Sequence, residues 1–163
     1  METPLSLEYI PSDTDEGRTM YFDMDGTLAN LYGVTNVFRR LDNNDASTYL
    51  EAAPTPQYVE MLKSAKDMGY RVGIITAGSR FPPDTPQEVK DKMNEDTEEA
   101  KIEWLKKYDI WPLLSSFQFI PYGVNKYSVA KDKTGVLVDD EDKVLNQWFS
   151  DRIKAIPIKK AKF

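Results

Sequence analysis

The chain has 163 residues, of which 40% are hydrophobic and 29% charged, with a formal net charge of −6. That is the profile of one ordinary domain with material for a buried core, and it is too apolar for general disorder. Cys and His are both absent, which excludes disulfides, thiolate and imidazole metal sites, Cys nucleophiles and every Ser-His or Cys-His mechanism, so any chemistry falls to carboxylates, hydroxyls, amines and a hard, oxygen-ligated cation.

In chain order, residues 1–18 mix Pro, Ser, Gly and acids without a sustained period and are expected to form a leader. A single domain is expected over 19–163. Its first strand spans about 19–23. Residues 30–55 carry an amphipathic piece at 34–41, a polar stretch at 42–48 and then Ala52-Ala53-Pro54, a short insert between the strand and the next helix. That helix, over 56–68, has apolar residues at Tyr58, Val59, Met61, Leu62 and Ala65, with Gly69 where helices end. A second strand over 71–75 is rich in β-branched residues and should be buried on both faces. After the loop 81–86, Pro86 opens a helix reaching 108, charged until Ala100 and then apolar at Ile102, Trp104, Leu105 and Tyr108. Its second half should pack on the sheet. A strand at 117–120, a helix at 126–131, a strand at 135–138 and a helical turn or two at 144–149 follow. An edge strand is expected at 153–158, since Pro157 is tolerable only at an edge. Alternating strands and helices imply a parallel sheet with helices on both sides.

Two acids two residues apart close the first strand, in Tyr21-Phe22-Asp23-Met24-Asp25-Gly26-Thr27-Leu28. At the carboxyl end of a strand in an open α/β sheet both can turn into the ligand crevice, one to attack and the other to handle the proton. The second strand ends in Thr76, in Ile74-Ile75-Thr76-Ala77-Gly78, and the last in Asp139-Asp140, in Val136-Leu137-Val138-Asp139-Asp140. Each feature alone has a plainer reading: acids capping a helix, a strand-end Thr, an acidic loop continued by Glu141 and Asp142.

In that order these segments resemble the haloacid dehalogenase (HAD) superfamily: Asp23-Met24-Asp25-Gly26-Thr27 its first motif, the strand ending at Thr76 its second, and the strand ending at Asp139-Asp140 its fourth. The third motif is a Lys at a helix start. Lys126 is the choice, because Pro121, Gly123 and Asn125 look like a helix entry, with Lys131 and Lys133 as competitors. The resemblance runs from Tyr21 to Asp140, and Asp139-Asp140 with Asn146 and Trp148 looks most like the small nucleotidase-like members.

The resemblance implies a HAD-like Rossmannoid three-layer α/β/α domain with a minimal cap at about 30–55. It implies a magnesium-dependent phosphomonoesterase in which Asp23 is the nucleophile and Asp25 the acid and base. Thr76, Ala77 and Lys126 would bind phosphate. Asp23, Asp139 and Asp140, with the main-chain carbonyl of Asp25, would hold Mg2+. Asn30, Tyr32, Tyr49, Arg80 and Phe81 are expected to rim the site, and Trp104, Trp111 and Trp148 to pack. The substrate is expected to be a small phosphorylated compound, leaning to a nucleotide. The acidic net charge argues against nucleic acid as a partner, and Lys154, Lys159, Lys160 and Lys162 read as a solvated tail. A polynucleotide 3′-phosphatase and a non-catalytic binding protein on the same fold stay as alternatives. No run is long and apolar enough to cross a membrane and the N-terminus lacks a signal pattern, so a cytoplasmic setting is expected. A short cap leaves the site open, which suits a bulky phosphoester or a small substrate enclosed by a second subunit of a homo-oligomer.

Overall fold

The four residues Thr19–Phe22 form strand β1, buried at every position. Continuous burial of a short apolar run is what a central strand of a parallel sheet requires, because both of its faces are covered. In the computed structural model, which describes residues 18–155, β1 lies between β4 (Arg71–Ala77) and β6 (Val136–Val138), with β5 (Ser116–Ile120) outside β4. All three pairings are parallel, with Phe22 level with Ile74 on one side and Val138 on the other. The expected α/β class with a parallel sheet is the one observed.

Alternation along the strands splits the core into two layers. Met20, Phe22, Val72, Ile74, Val136 and Val138 point to one side. There they meet Leu62 and Ala65 of helix α3 (Pro56–Asp67), and Trp104 and Leu105 of α4 (Gln87–Lys107). Tyr21, Ile75 and Leu137 point to the other, against Tyr127 of α5 (Lys126–Val129) and Trp148 of α6 (Asp142–Ala155). Trp148 packs edge-on to both Tyr21 and Tyr127, and its Nε1 donates to the Gly135 carbonyl at 3.2 Å. Trp104 is fully buried and donates to the Ala52 carbonyl at 2.8 Å. Both tryptophans satisfy their one N–H donor inside the core.

The insert after β1 is clasped at its base. Strand β2 (Ala29–Asn30) pairs antiparallel with β3 (Ala53–Pro54), so the chain leaves and returns at one point. Between them lie a 3-10 turn (Leu31–Gly33) and the short helices α1 (Val37–Asp42) and α2 (Ser47–Leu50). Leu31, Val37 and Tyr49 bury against Met93 and Ala100 of α4, with Phe81 beside them.

Two expectations change. The last helix runs Asp142–Ala155 rather than 144–149, so Ile153 lies in a helix and not in an edge strand. Arg152 explains the extension: its guanidinium donates to the Thr134 carbonyl at 3.1 and 3.3 Å, pinning the helix's last turn to the segment before β6. The rest of that expected strand, residues 1–17 of the leader, and Lys159, Lys160 and Lys162 lie outside the described residues. Helix α5 is also shorter than expected, ending at Val129. Among the described residues no helix is long and apolar enough to cross a membrane.

Candidate active site

Strands β1, β4 and β6 all deliver their carboxyl ends to the same edge of the sheet, and the motif residues sit there. Asp23 directly follows β1 and stays in register, its N–H donating to the Val138 carbonyl at 2.9 Å. The chain then folds into a tight loop in which Thr27 and Ala29 N–H groups both donate to the Met24 carbonyl, at 3.0 and 2.9 Å. Gly26 makes this possible with φ of +81°, and a Cβ there would press into the Asp140 carboxylate. Backbone geometry and close approach both demand glycine.

Carboxylate oxygens of Asp23, Asp139 and Asp140 all lie within 4.8 Å of one another. Lys126, presented at the start of α5, reaches into this group: its ammonium donates to Asp23 Oδ1 and to Asp139 Oδ2, each at 2.8 Å. Asn125 sets that helix start by accepting from the Tyr127 N–H at 2.9 Å while donating to Asp151 at 2.6 Å. The Thr27 hydroxyl lies 3.4 Å from both Asp23 Oδ2 and Asp140 Oδ1. Lys133, by contrast, donates to the Tyr127 and Ser128 carbonyls at the end of α5 and takes no part in the acidic group.

Three acids face one ammonium here, and the electrostatics record the imbalance. Burial pushes the Asp23 carboxyl up to about 8; Lys126 pulls it down, while the charges of Asp139 and Asp25 push it further up. Burial also raises Asp140, with the Asp139 charge adding to it. For Lys126 burial works against the charged form, but the charges of Asp23 and Asp139 prevail and its pKa is raised. Oxygen ligands gathered at this spacing, with more negative charge than Lys126 neutralises, fit a hard divalent cation such as Mg2+.

Asp25 turns elsewhere. Its Oδ2 accepts from the ammonium of Lys101 at 2.9 Å, so its side chain is not among the clustered acids. Lys101 also donates to the Thr76 hydroxyl at 2.7 Å and to the Ala77 carbonyl at 2.8 Å. Thr76, Ala77 and Asp25 are therefore joined through a lysine that the motif pattern does not include. Its signal in the sequence is its place on the buried stripe of α4, with Met93, Thr97, Ala100, Trp104 and Leu105. A Lys on that stripe needs a reason to be buried.

Around this centre, the Tyr49 hydroxyl shares a hydrogen bond of 2.8 Å with the Ser79 hydroxyl, and its ring lies 5.0 Å from the Lys101 ammonium. Tyr32 borders the acids: the charges of Asp25, Asp140 and Asp23 join burial in pushing its phenol up to about 12. Yet the Tyr32 side chain is also 51% exposed, and it stacks on Phe38, 66% exposed, with ring centroids 6.1 Å apart. Phe81 packs into the core of the insert, whereas Arg80 is exposed.

No protein-family model matches this chain, and no curated protein does either. Solved structures do. The chain is similar to a chain of the Pnkp1/Rnl/Hen1 complex, with a TM-score of 0.58 and 20% identity over 91% of this chain and 47% of that one. A second structure, of the Pnkp1/Rnl/Hen1 RNA repair complex, gives the same score and identity over 92% of this chain and 44% of the other. What the chain shares with them is its fold. It spans less than half the length of either chain. A D,D-heptose 1,7-bisphosphate phosphatase from Burkholderia thailandensis gives a TM-score of 0.40 at 12% identity, over 88% of each chain.

Proposed function

We propose that the protein is a HAD-type phosphomonoesterase working through an aspartyl-phosphate at Asp23. The observation that carries this reading is the meeting of Asp23, Asp139 and Asp140 oxygens within 4.8 Å, with Lys126 2.8 Å from Asp23. An Asp23 carboxylate oxygen attacks phosphorus while the bond from phosphorus to the ester oxygen breaks, and Asp25 gives its proton to the departing alcohol. Asp25 then takes a proton from the water that attacks the acyl-phosphate, which releases inorganic phosphate and restores Asp23. Lys126 stabilises phosphoryl oxygens by charge, Thr76 does so through its hydroxyl, and Ala77 extends that wall of the site. Asp23, Asp139, Asp140 and the main-chain carbonyl of Asp25 would hold Mg2+, which neutralises phosphoryl charge when bound. The insert of residues 30–55 acts as a minimal cap, and the setting is cytoplasmic. Hydrolysis of p-nitrophenyl phosphate with and without Mg2+, for the parent and for Asp23→Asn, tests the reading. Metal-dependent turnover that the variant loses is the expected result; equal turnover in both would contradict it, and none in either would favour a non-catalytic binding protein.

For the substrate we propose a nucleotide, taken as a mononucleotide or as the phosphorylated end of a nucleic acid. The exposed Tyr32–Phe38 stack beside the acids supports a nucleobase, because a flat aromatic pair offers stacking to any base. The likeness in fold to a chain of an RNA repair complex favours the nucleic-acid end as the second reading, and it weakens the inference drawn from net charge alone. Comparing hydrolysis of a nucleoside monophosphate with that of a 3′-phosphorylated oligonucleotide separates the two.

A further inference from the structure

We infer that Lys101 is a positioning residue that anchors one oxygen of Asp25 and leaves the other for proton exchange with substrate. The inference rests on the phosphatase reading above and gives that reading a part the motifs do not contain.

Lys101 is 1% exposed, and a buried ammonium persists only where its charge and its donors are met. Its three N–H groups meet three oxygens: Asp25 Oδ2 at 2.9 Å, Thr76 Oγ1 at 2.7 Å and the Ala77 carbonyl at 2.8 Å. The rings of Tyr49 and Phe119 flank it at 5.0 and 5.7 Å. With its donors fully used, Lys101 has none left for a substrate. Lys126 differs, since Asp23 and Asp139 take two of its donors and one stays free for a phosphoryl oxygen. The two lysines thus divide the work: Lys126 touches the substrate and Lys101 holds the residue that does.

The chemical consequence lies in which atom of Asp25 moves the proton. Oδ2 is tied to Lys101, so the proton travels through Oδ1: from Oδ1 to the leaving oxygen as the ester bond breaks, then from the attacking water back to Oδ1. Thr76 accepts from Lys101, which leaves its own hydroxyl hydrogen available as a donor.

Because Lys101 acts through the proton donor, its removal should cost most where the leaving group needs a proton. The experiment compares kcat/KM for 2,4-dinitrophenyl phosphate, whose leaving group departs unprotonated, with that for an alkyl phosphate, in the parent and Lys101→Met. The expected loss on the alkyl ester exceeds that on the dinitrophenyl ester by about 100-fold, the usual scale of general acid catalysis. Taking the ratio removes any uniform effect on folding or binding. Equal losses on both esters would overturn the inference. Asp25→Asn with and without Lys101→Met gives an independent reading, since the double variant removes both charges of the pair and avoids leaving the buried ammonium unpaired. On dinitrophenyl phosphate the double variant should match Asp25→Asn to within about twofold; a further tenfold loss would overturn the inference. If the parent hydrolyses none of these esters, or Asp23→Asn keeps the parent rates, the phosphatase reading fails and this inference with it. Turnover that Asp23→Asn abolishes, together with equal losses, removes Lys101's role alone.

Discussion

Lys126 places its ammonium 2.8 Å from the Asp23 carboxylate, although the two residues come from different elements at the same edge of the sheet. The same ammonium reaches Asp139 at 2.8 Å, so β1, β6 and α5 converge on one cation. Replacing it with an apolar side chain of similar length leaves buried acids facing one another and, in the proposed mechanism, removes the positive charge that faces the phosphoryl group. Lys126→Met should therefore lower kcat by about 100-fold or more, the range for losing one preorganised donor. Steady-state kinetics on p-nitrophenyl phosphate measure this, and a variant with parental kcat would remove Lys126 from the mechanism.

With Asp23 as a ligand of the proposed Mg2+, its protonation would tie metal binding to pH. Without metal, burial holds this carboxyl up to about 8, so near neutral pH much of it carries a proton that a bound divalent ion must displace. Mg2+ affinity should rise as pH increases toward 8, by up to about tenfold per pH unit, with proton release on binding. Isothermal titration calorimetry in buffers of different ionisation enthalpy reads both quantities. Metal-free stability should move the opposite way. An acid whose folded pKa is raised above its ordinary value of 3.8 contributes stability that is complete below that value and lost as pH rises through about 8. Thermal melting in chelator should accordingly show Tm falling across this window, and Mg2+ should flatten the slope. An Mg2+ affinity independent of pH would contradict the assignment of Asp23 as a ligand.

Gly26 offers a test that removes no polar group. Gly26→Ala forces a side chain into a backbone conformation with φ of +81° and against the Asp140 carboxylate. The expected cost is about 1–2 kcal/mol from the left-handed conformation alone, read by denaturant unfolding. Displacing Asp140 should also weaken Mg2+ binding in the same variant. Unchanged stability together with unchanged metal affinity would show that neither constraint matters.

Much of this arrangement is legible in the residues themselves. The apolar runs at 20–22, 72–75 and 136–138 end in Asp23, Thr76 and Asp139, so the crevice at the strand ends follows from pattern alone. Asn125 as a helix cap points to Lys126 over Lys133, and the hydrogen bond to Tyr127 is the local reason. Lys101 is hidden because the same helix is charged along most of its length, and a lysine among Glu98, Glu99 and Glu103 reads as solvated. Its place on the stripe with Met93, Ala100, Trp104 and Leu105 is the hint of burial, while its partners Asp25 and Thr76 come from distant elements. The β2–β3 clasp is invisible for a different reason: each strand has two residues, and their pairing depends on where the insert closes rather than on any local propensity. The length of α6 likewise depends on a distant partner, the Thr134 carbonyl that Arg152 reaches.

Phe38 tests the nucleotide reading with little disturbance to the centre, since it is exposed and carries the outer ring of the stack. Phe38→Ala should lower kcat/KM for a nucleoside monophosphate by about fivefold or more, the lower end of what base stacking contributes. Ribose 5-phosphate, which has no base, should be hydrolysed at the parental rate by the same variant. An equal effect on both substrates would remove the ring from base recognition.

The most direct test is chemical capture of the proposed intermediate. Protein mixed with Mg2+ and excess p-nitrophenyl phosphate, quenched in acid during turnover and digested, is mapped by mass spectrometry. The expected result is phosphate on the peptide bearing Asp23 and none on that of Asp23→Asn. Sustained turnover by the parent with Asp23 unmodified at every quench time, or phosphate on a different residue, would contradict it.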